Sequence, residues 1–268
     1  MRRELLPDAL WERVQPLLPP HRSRPKGGRP PANDRNCLRG ILFVLKTGIQ
    51  WEDLPHEVFG ACGMTCWRRM RDWQTAGVWS ALQRLLLDEL GEAGRINWKR
   101  AAVDSSSVRA PKKGKLTGPN PTDRAKAGSK HHILVDVEGS PLAESLTAAN
   151  THDTHELFPL LDAVPAVQGP RGRPRFRPEK LHADKAYASK KNRRGLRKRG
   201  IKPRIARPGI ESKERLGRHR WVVERSLAWL HQLRRLSTRY ERRDDTHFAF
   251  LALGCCVLLF RKLFPALS

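Results

Sequence analysis

The apolar residues of this chain change their spacing once, near residue 96, and that change limits the fold to two unlike parts. Before it they recur at helical intervals. Leu10, Val14 and Leu17 share one face of a segment that Pro7 and Asp8 open and that runs over residues 8–18. Leu38, Ile41, Leu42 and Leu45 follow the i, i+3, i+4, i+7 rule behind a cap at Asn33 or Asp34, and Gly48 stands where a left-handed terminal residue is expected. Between them, residues 21–31 (HRSRPKGGRPP) form a basic linker rich in Pro and Gly. Thr65 is the expected cap of a helix over 65–76 that buries Trp67 and Met70 and leaves Arg68 and Arg71 on another face. Gly77 ends it, and a further helix covers 78–90. Several short helices with Gly turns, one with Arg on its free face, fit either a helix-turn-helix DNA reader or a helical packing domain.

After residue 96 the spacing is that of strands alternating with helices. Residues 99–108 (KRAAVDSSSV) read as a short strand with Asp104 at its exit. Residues 131–137 and 141–147 read as a hairpin turning at Glu138, Gly139 and Ser140. Asp153 and Glu156 resemble a capping box for a helix to about residue 164. A strand over 180–183 leads into Asp184, a basic helix covers 190–199, and a last strand covers 202–206. A long helix over 211–239 carries Glu224, and 246–264 is an apolar terminal helix. The uninterrupted apolar run 248–260 has 13 residues, short of the roughly 20 that cross a bilayer, so it is expected as a buried core helix. The expectation is an α/β fold of two domains. Residues 1–95 form an all-helical, helix-turn-helix-like domain, and 96–268 form a ribonuclease-H-like catalytic domain with its acids at the carboxyl edge of the sheet.

Charge limits the partner. Across 268 residues, 52 Lys and Arg face 27 Asp and Glu, a net charge of +25. Residues 1–95 hold 15 basic and 11 acidic groups, whereas 171–243 hold 26 and 6. A surplus of that size calls for a polyanion, with nucleic acid ahead of an anionic membrane, lying across the C-terminal half. Five cysteines have no zinc or disulfide spacing and are expected packed and reduced. No apolar signal core opens the chain, and a cytoplasmic, nucleoid-associated protein is expected.

The acids suggest the chemistry. Asp104 and Asp184 follow strands, and Glu224 lies on a later helix. Two carboxylates about 4 Å apart repel by about 4 kcal/mol at an effective dielectric of 20, so such a group needs a cation. Two divalent ions about 3.5–4 Å apart activate the attacking oxygen and stabilise the leaving one in phosphodiester exchange. Hard Mg²⁺ takes few carboxylates and keeps its waters. On the Glu224 helix, Val223, Leu227 and Leu230 make the buried stripe, while Arg220, Glu224, His231 and Arg235 follow one another on an adjacent one. From the pattern alone, Glu224 is either a metal ligand or the partner of Arg220 across one turn.

The segments VDSSSVRA (103–110), ANTHD (149–153), LHADKAYAS (181–189) and GRHRWVVERSLAWLHQLRRL (217–236) resemble the DDE-type insertion-sequence transposases, specifically insertion sequence family five. The resemblance implies that Asp104, Asp184 and Glu224 are the catalytic, metal-binding acids. It implies two Mg²⁺ ions with Mn²⁺ as a substitute, and excision and insertion by hydrolysis and then transesterification. The implied partners are the element's terminal inverted repeats and target, as double-stranded DNA, without membrane or small-molecule substrate, and the need to pair two ends leads to the expectation of a homodimer on DNA. The family signature around the Glu is Tyr, two residues, Arg, three residues, Glu, six residues, Lys. Arg220 and Glu224 match it, Gly217 replaces the Tyr and His231 the Lys. The phosphate contact of the missing Lys is expected to pass to His231 or Arg235.

Other motifs are less specific. PRGRP (170–174) reproduces the core of an AT-hook, and Arg171 and Arg173 are expected on phosphates or in a minor groove. His131, His132, His152 and His155 lack the company of a zinc site and are expected in structural roles, with Asp153 a helix cap. Trp221 and Trp229 are expected in the core, with base stacking the alternative.

Overall fold

The computed structural model describes residues 4–21, 27, 30–206 and 217–267. Most of the expected basic linker and the start of the expected long helix, residues 211–216, lie outside the described residues.

Five helices come first: α1 (Asp8–Val14), α2 (Asp34–Thr47), α3 (His56–Phe59), α4 (Gly63–Thr75) and α5 (Val78–Glu92). α1 tightens into a 3₁₀ turn at Gln15–Leu17, where Pro16 has no amide hydrogen to continue the α-helical ladder. Asn33 caps α2 by accepting from the Asn36 amide, and Gly48 closes it at φ 76°. α4 starts two residues before the expected cap, with Cys62 at the N-cap. Gly63 permits this start, because a Cβ there would stand 1.6 Å from the Trp51 carbonyl oxygen.

The sheet follows: β1 (Ala101–Arg109), β2 (Gly118–Pro119), β3 (Ala127–Asp136), β4 (Pro141–Ala148), β5 (Lys180–Ala183) and β6 (Lys202–Ile205). Strands β1, β3 and β4 are antiparallel neighbours, while β1, β5 and β6 run parallel on the other side. The order is therefore β4-β3-β1-β5-β6, with β2 pairing β3 over Gly128 and Ala127. Among these strands come α6 (Leu157–Ala163) and α7 (Lys190–Lys198), and after them α8 (Gly217–His231), α9 (Arg234–Ser237) and α10 (Asp244–Leu263). Three antiparallel strands, two parallel ones and helices on both faces make the expected ribonuclease-H-like α/β arrangement.

Side-chain alternation along β4 separates the faces. Glu144 meets Gln83 of α5, and its neighbour Ser145 meets Glu156 just before α6. α5, α8 and α10 therefore cover one face. α6 and α7 cover the other, packed so closely that a Cβ on Gly195 of α7 would stand 2.3 Å from the Phe158 ring of α6. Asp104 lies opposite Ile133, which lies opposite Glu144, so Asp104 projects to the α8 face.

One expectation needs correction. The long helix breaks after His231, and Gln232 and Leu233 separate α8 from the single turn of α9. The apolar terminal helix has 20 residues, long enough by length and composition to cross a membrane, but α5, α4, α8 and β4 cover it. Phe250, Leu251, Leu253, Cys255 and Leu259 are all buried. The expected boundary at 95–96 falls in the turn between α5 and β1, yet one apolar core runs without a gap from Leu6 to Phe260.

Glu144 is buried where these layers meet, accepting from Gln83 and Cys255, and burial raises its carboxyl to about 7 from the usual 4.5. A raised folded-state value means the stabilising form is the neutral acid. Stability is fully present below about 4.5 and is lost as pH rises to about 7, on the order of 2–3 kcal/mol. Glu144→Gln keeps the neutral shape, so the wild type's melting temperature should fall relative to the variant's as pH rises from about 4.5 to about 7. Parallel decline of the two proteins would show that the carboxylate is ionised in the fold.

Candidate active site

The register of the parallel strands brings the first two acids together. Ala101 and Ala102 pair with Leu181 and His182, so continuing the register sets Asp104 beside Asp184. Asp104 is not at the exit of its strand as expected: β1 runs on to Arg109, because β3 pairs the polar stretch Ser105–Ser107 along its whole length. It is β5 that stops at Ala183, which leaves Asp104 at the edge of the parallel half. Asp184 caps the 3₁₀ turn Lys185–Tyr187 by accepting from the Lys185 amide.

α8 supplies the third acid and the charge that joins all three. It packs on β1, β3 and β5 through Val223, Leu227 and Leu230, the expected stripe. One turn before Glu224, the Arg220 guanidinium donates to Asp104 Oδ2 at 2.9 Å. It also lies 3.4 Å from Asp184 Oδ1 and 3.4 Å from Glu224 Oε1. Thus Glu224 both pairs with Arg220, one of the two sequence readings, and joins the aspartates. Side-chain exposure rises from 17% at Asp104 to 46% at Asp184 and 59% at Glu224, so the site opens outward from a closed floor.

Burial raises the Asp104 carboxyl, and the hydrogen bonds from Arg220 and the Ser105 amide work against that rise. Burial alone would lower Arg220, but its bond to Asp104 and the field of the three acids leave it raised. Beneath the site Tyr187 is buried; desolvation and the charges of Asp153, Asp104 and Asp184 raise its phenol. The Tyr187 hydroxyl and Arg220 Nε are buried without a hydrogen-bond partner among the described residues.

As drawn, no three His, Cys, Asp or Glu groups among the described residues chelate an ion; the acids meet at the guanidinium. Their chemistry nevertheless suits a hard divalent ion. All donors are carboxylate oxygens, and their charge exceeds what one arginine offsets.

The expected DNA contacts divide. Arg68 is exposed on α4, and Arg71 is half-buried, pairs with Asp72 and stacks 5.3 Å from the Trp67 ring centroid. Arg171 and Arg173 are exposed, but on the loop that precedes β5, at the opposite end of that strand from Asp184. Arg235 is a correction. It is buried, bonded at 2.7 Å to Glu241 and donating to the Gly48 and Ile49 carbonyls, so it ties α9 to the end of α2 instead of meeting phosphate. His231 is also turned inward: it is half-buried, its Nε2 is enclosed, and its ring lies 5.8 Å from that of His131. The indole of Trp221, expected in the core, is half exposed and carries the Arg225 guanidinium 4.6 Å above it; Trp229 flanks the same guanidinium.

Sequence reasoning missed the network behind α8. Glu241 meets Arg235 and His247, and His247 Nε2 meets His131 Nε2 at 2.8 Å. Burial lowers His131, His231 and His247, so all three are neutral and structural. Arg239, fully buried, donates to the carbonyls of Glu241, Leu116 and Lys115 and to the Ser129 hydroxyl. Asp153 is no helix cap: it pairs with Lys130 at 2.8 Å, and His152 caps the turn before α6.

A sheet of this order, with three acids gathered at the edge of its parallel half, describes the class of DDE enzymes. Comparison with known proteins narrows the class. Residues 99–260 match the family described as "Transposase DDE domain", and residues 6–83 match "Putative transposase of IS4/5 family". The chain belongs to the DDE transposases of the IS4/5 type. It is 52% identical over 165 residues to the "Putative transposase for insertion sequence element IS402" of Burkholderia cepacia, covering 62% of this chain and 76% of the relative. It is 30% identical over 169 residues to the "Transposase for insertion sequence element IS1106" of Neisseria meningitidis serogroup B, covering 59% of this chain and 51% of that one. Among solved structures, the Mos1 mariner paired end complex with Mn aligns over 90% of this chain and 80% of the other at 11% identity. Its TM-score is 0.31, too low to bear on the argument.

Arg235→Ala should destabilise the protein by about 3–5 kcal/mol, the usual loss when one member of a buried ion pair is removed. Denaturant unfolding would measure it. An unchanged midpoint combined with weakened DNA binding would return Arg235 to the DNA surface.

Proposed function

We propose that this transposase binds the terminal inverted repeats of an insertion sequence and catalyses strand cleavage and strand transfer with Asp104, Asp184 and Glu224 as its metal-binding acids. One observation carries the assignment: these three carboxylates, from two strands and a helix, converge on the single guanidinium of Arg220. The cofactor of this reading is a pair of Mg²⁺ ions, with Mn²⁺ as a substitute. Held by the three acids, they would supply Lewis-acid chemistry for phosphodiester exchange.

The chain's own groups set the stage for that chemistry. Asp104, on the closed floor, is fixed by the Ser105 amide and Arg220 and provides the rigid donor. Asp184 and Glu224, more exposed, face the side from which DNA approaches. Arg220 gathers the acids while they lack another cation, and its fork suits a scissile phosphate once they have one. The exposed face of α4 with Arg68 and Arg71 is the proposed reader of the element ends, as part of a helix-turn-helix-like domain spanning residues 1–95. Arg171 and Arg173 are proposed phosphate contacts farther along the duplex. Two ends must be joined, so the working form is proposed as a homodimer on DNA, at the nucleoid in the cytoplasm.

Asp104→Asn, Asp184→Asn and Glu224→Gln should each lower strand joining by at least about 10²–10³-fold, a loss typical of removing one electrostatic stabiliser. Binding to end DNA should persist. The assay is joining of a linear fragment carrying the element's ends into a second duplex with Mg²⁺. Cleavage without joining would instead favour a structure-selective nuclease, and near-normal joining by Glu224→Gln would leave Glu224 only as the partner of Arg220.

A further inference from the structure

Between Lys190 and Arg204 the chain carries nine Lys and Arg and no acid. The structure sorts these cations into two groups. Arg193 and Arg199 are committed to the protein: the first donates to the Ile205 carbonyl, and the second forks onto Asp162 and stacks 4.6 Å from the Phe158 centroid. Lys190, Lys191, Arg194, Arg197 and Lys198 are exposed, and none forms an ion pair with a carboxylate among the described residues. At about 100° per residue these five fall within about 120° of the α7 circumference, opposite the buried Asn192 and Leu196. Lys202 and Arg204, also exposed, lie on β6, the edge strand beside the helix.

Such a stripe works against the helix that bears it. Lys190, Arg194 and Lys198 succeed one another at i, i+4, where like charges repel. A solvated helix ordinarily intersperses acids, and this one has none. Its exposed arc also has no apolar residue with which to enter a membrane interface, no aromatic on which a base could stack, and no amide side chain to read a base edge. What it can recognise is a row of phosphates. From residue 190 to 198 the helix rises about 12 Å, a length of B-form duplex that carries about seven phosphate charges.

The stripe is also joined to the acids. Ser189 caps α7, and Asn192 donates to the Tyr187 carbonyl at 2.8 Å, which locks the helix to the turn that Asp184 begins. Gly195 lets α7 lie directly on Phe158 of α6, so the helix is seated on the sheet, not hung from a loop.

We propose that the exposed stripe of α7, with Lys202 and Arg204 of β6, is a sequence-independent track for the phosphate backbone of duplex DNA. The proposal rests on the transposase reading and adds the surface along which the DNA runs.

The test is binding to a short random-sequence duplex in EDTA, followed by fluorescence anisotropy over a series of salt concentrations. Lys190→Gln, Arg194→Gln and Lys198→Gln together should make the slope of log affinity against log salt shallower by about 2.7, at about 0.9 per phosphate contact. A control with the same charge loss elsewhere on the surface, Lys46→Gln, Arg84→Gln and Lys99→Gln, should keep the wild-type slope. Thermal melting should show both variants folded, since none of the six side chains is buried. An unchanged slope in the α7 variant, or equal changes in both variants, would overturn the track while leaving the acids' assignment standing. Failure of the wild type to bind duplex at all would overturn both.

Discussion

Three carboxylates from two strands and a helix meet in this molecule, and they cannot share a site without a positive charge between them. Arg220 is that charge within the chain. Its position is a consequence of the sheet. The parallel register of β1 and β5 sets two aspartates side by side, and the apolar stripe of α8 fixes the helix so that Arg220 and Glu224, one turn apart, face them. A one-residue slip of β1 against β3 would send Asp104 to the α6 face, away from α8. The backbone hydrogen bonds of the sheet therefore hold the carboxylate cluster together as directly as any of its side chains.

The second constraint is the burial of α10. An apolar helix at this end of the chain is stable only if covered on all sides. α5 and α4 supply that cover from the N-terminal region, and β4 and α8 supply it from the sheet. Arg235 adds a polar tie, reaching the carbonyls at the end of α2 from α9. The N-terminal helices and the catalytic sheet thus share one core. Movement of α4 relative to the carboxylates would have to break apolar packing, so the distance between α4 and the acids is set by folding.

Period and punctuation showed most of the architecture. Asn33, Gly48 and Gly77 mark real helix ends, and β5, α7 and β6 stand almost where the spacing of apolar residues puts them. Asp104 was legible as an acid beside a strand, but its place within the strand was not. Ser105–Ser107 carry no β signal of their own and are extended because β3 pairs them. Arg235 and His231 misled for a related reason. A helical wheel drawn through residue 239 assumes a continuous helix, and the break after His231 turns Arg235 inward, while His231 itself packs beside His131, a residue of β3 far away in the chain. The Glu241, His247 and His131 network left no local trace either, since its members come from β3, the segment after α9 and the start of α10.

The same distinction governs how the chain's large positive charge is understood. Arg220, Arg235, Arg239, Arg193, Arg199 and Arg225 all lie within 171–243, yet each is tied to a carboxylate or a main-chain carbonyl of the protein itself. Net charge alone therefore overstates the surface offered to a polyanion. Among the described residues, many of the exposed cations gather on α7, on β6 and on the loop before β5, with Arg234 and Arg242 exposed elsewhere. Two of these three, α7 and β6, follow Asp184 in the chain, and α7 begins at the carboxyl end of β5. The cations that folding uses up hold the carboxylate cluster and its supports together, and those it leaves free are the ones still open to a polyanion.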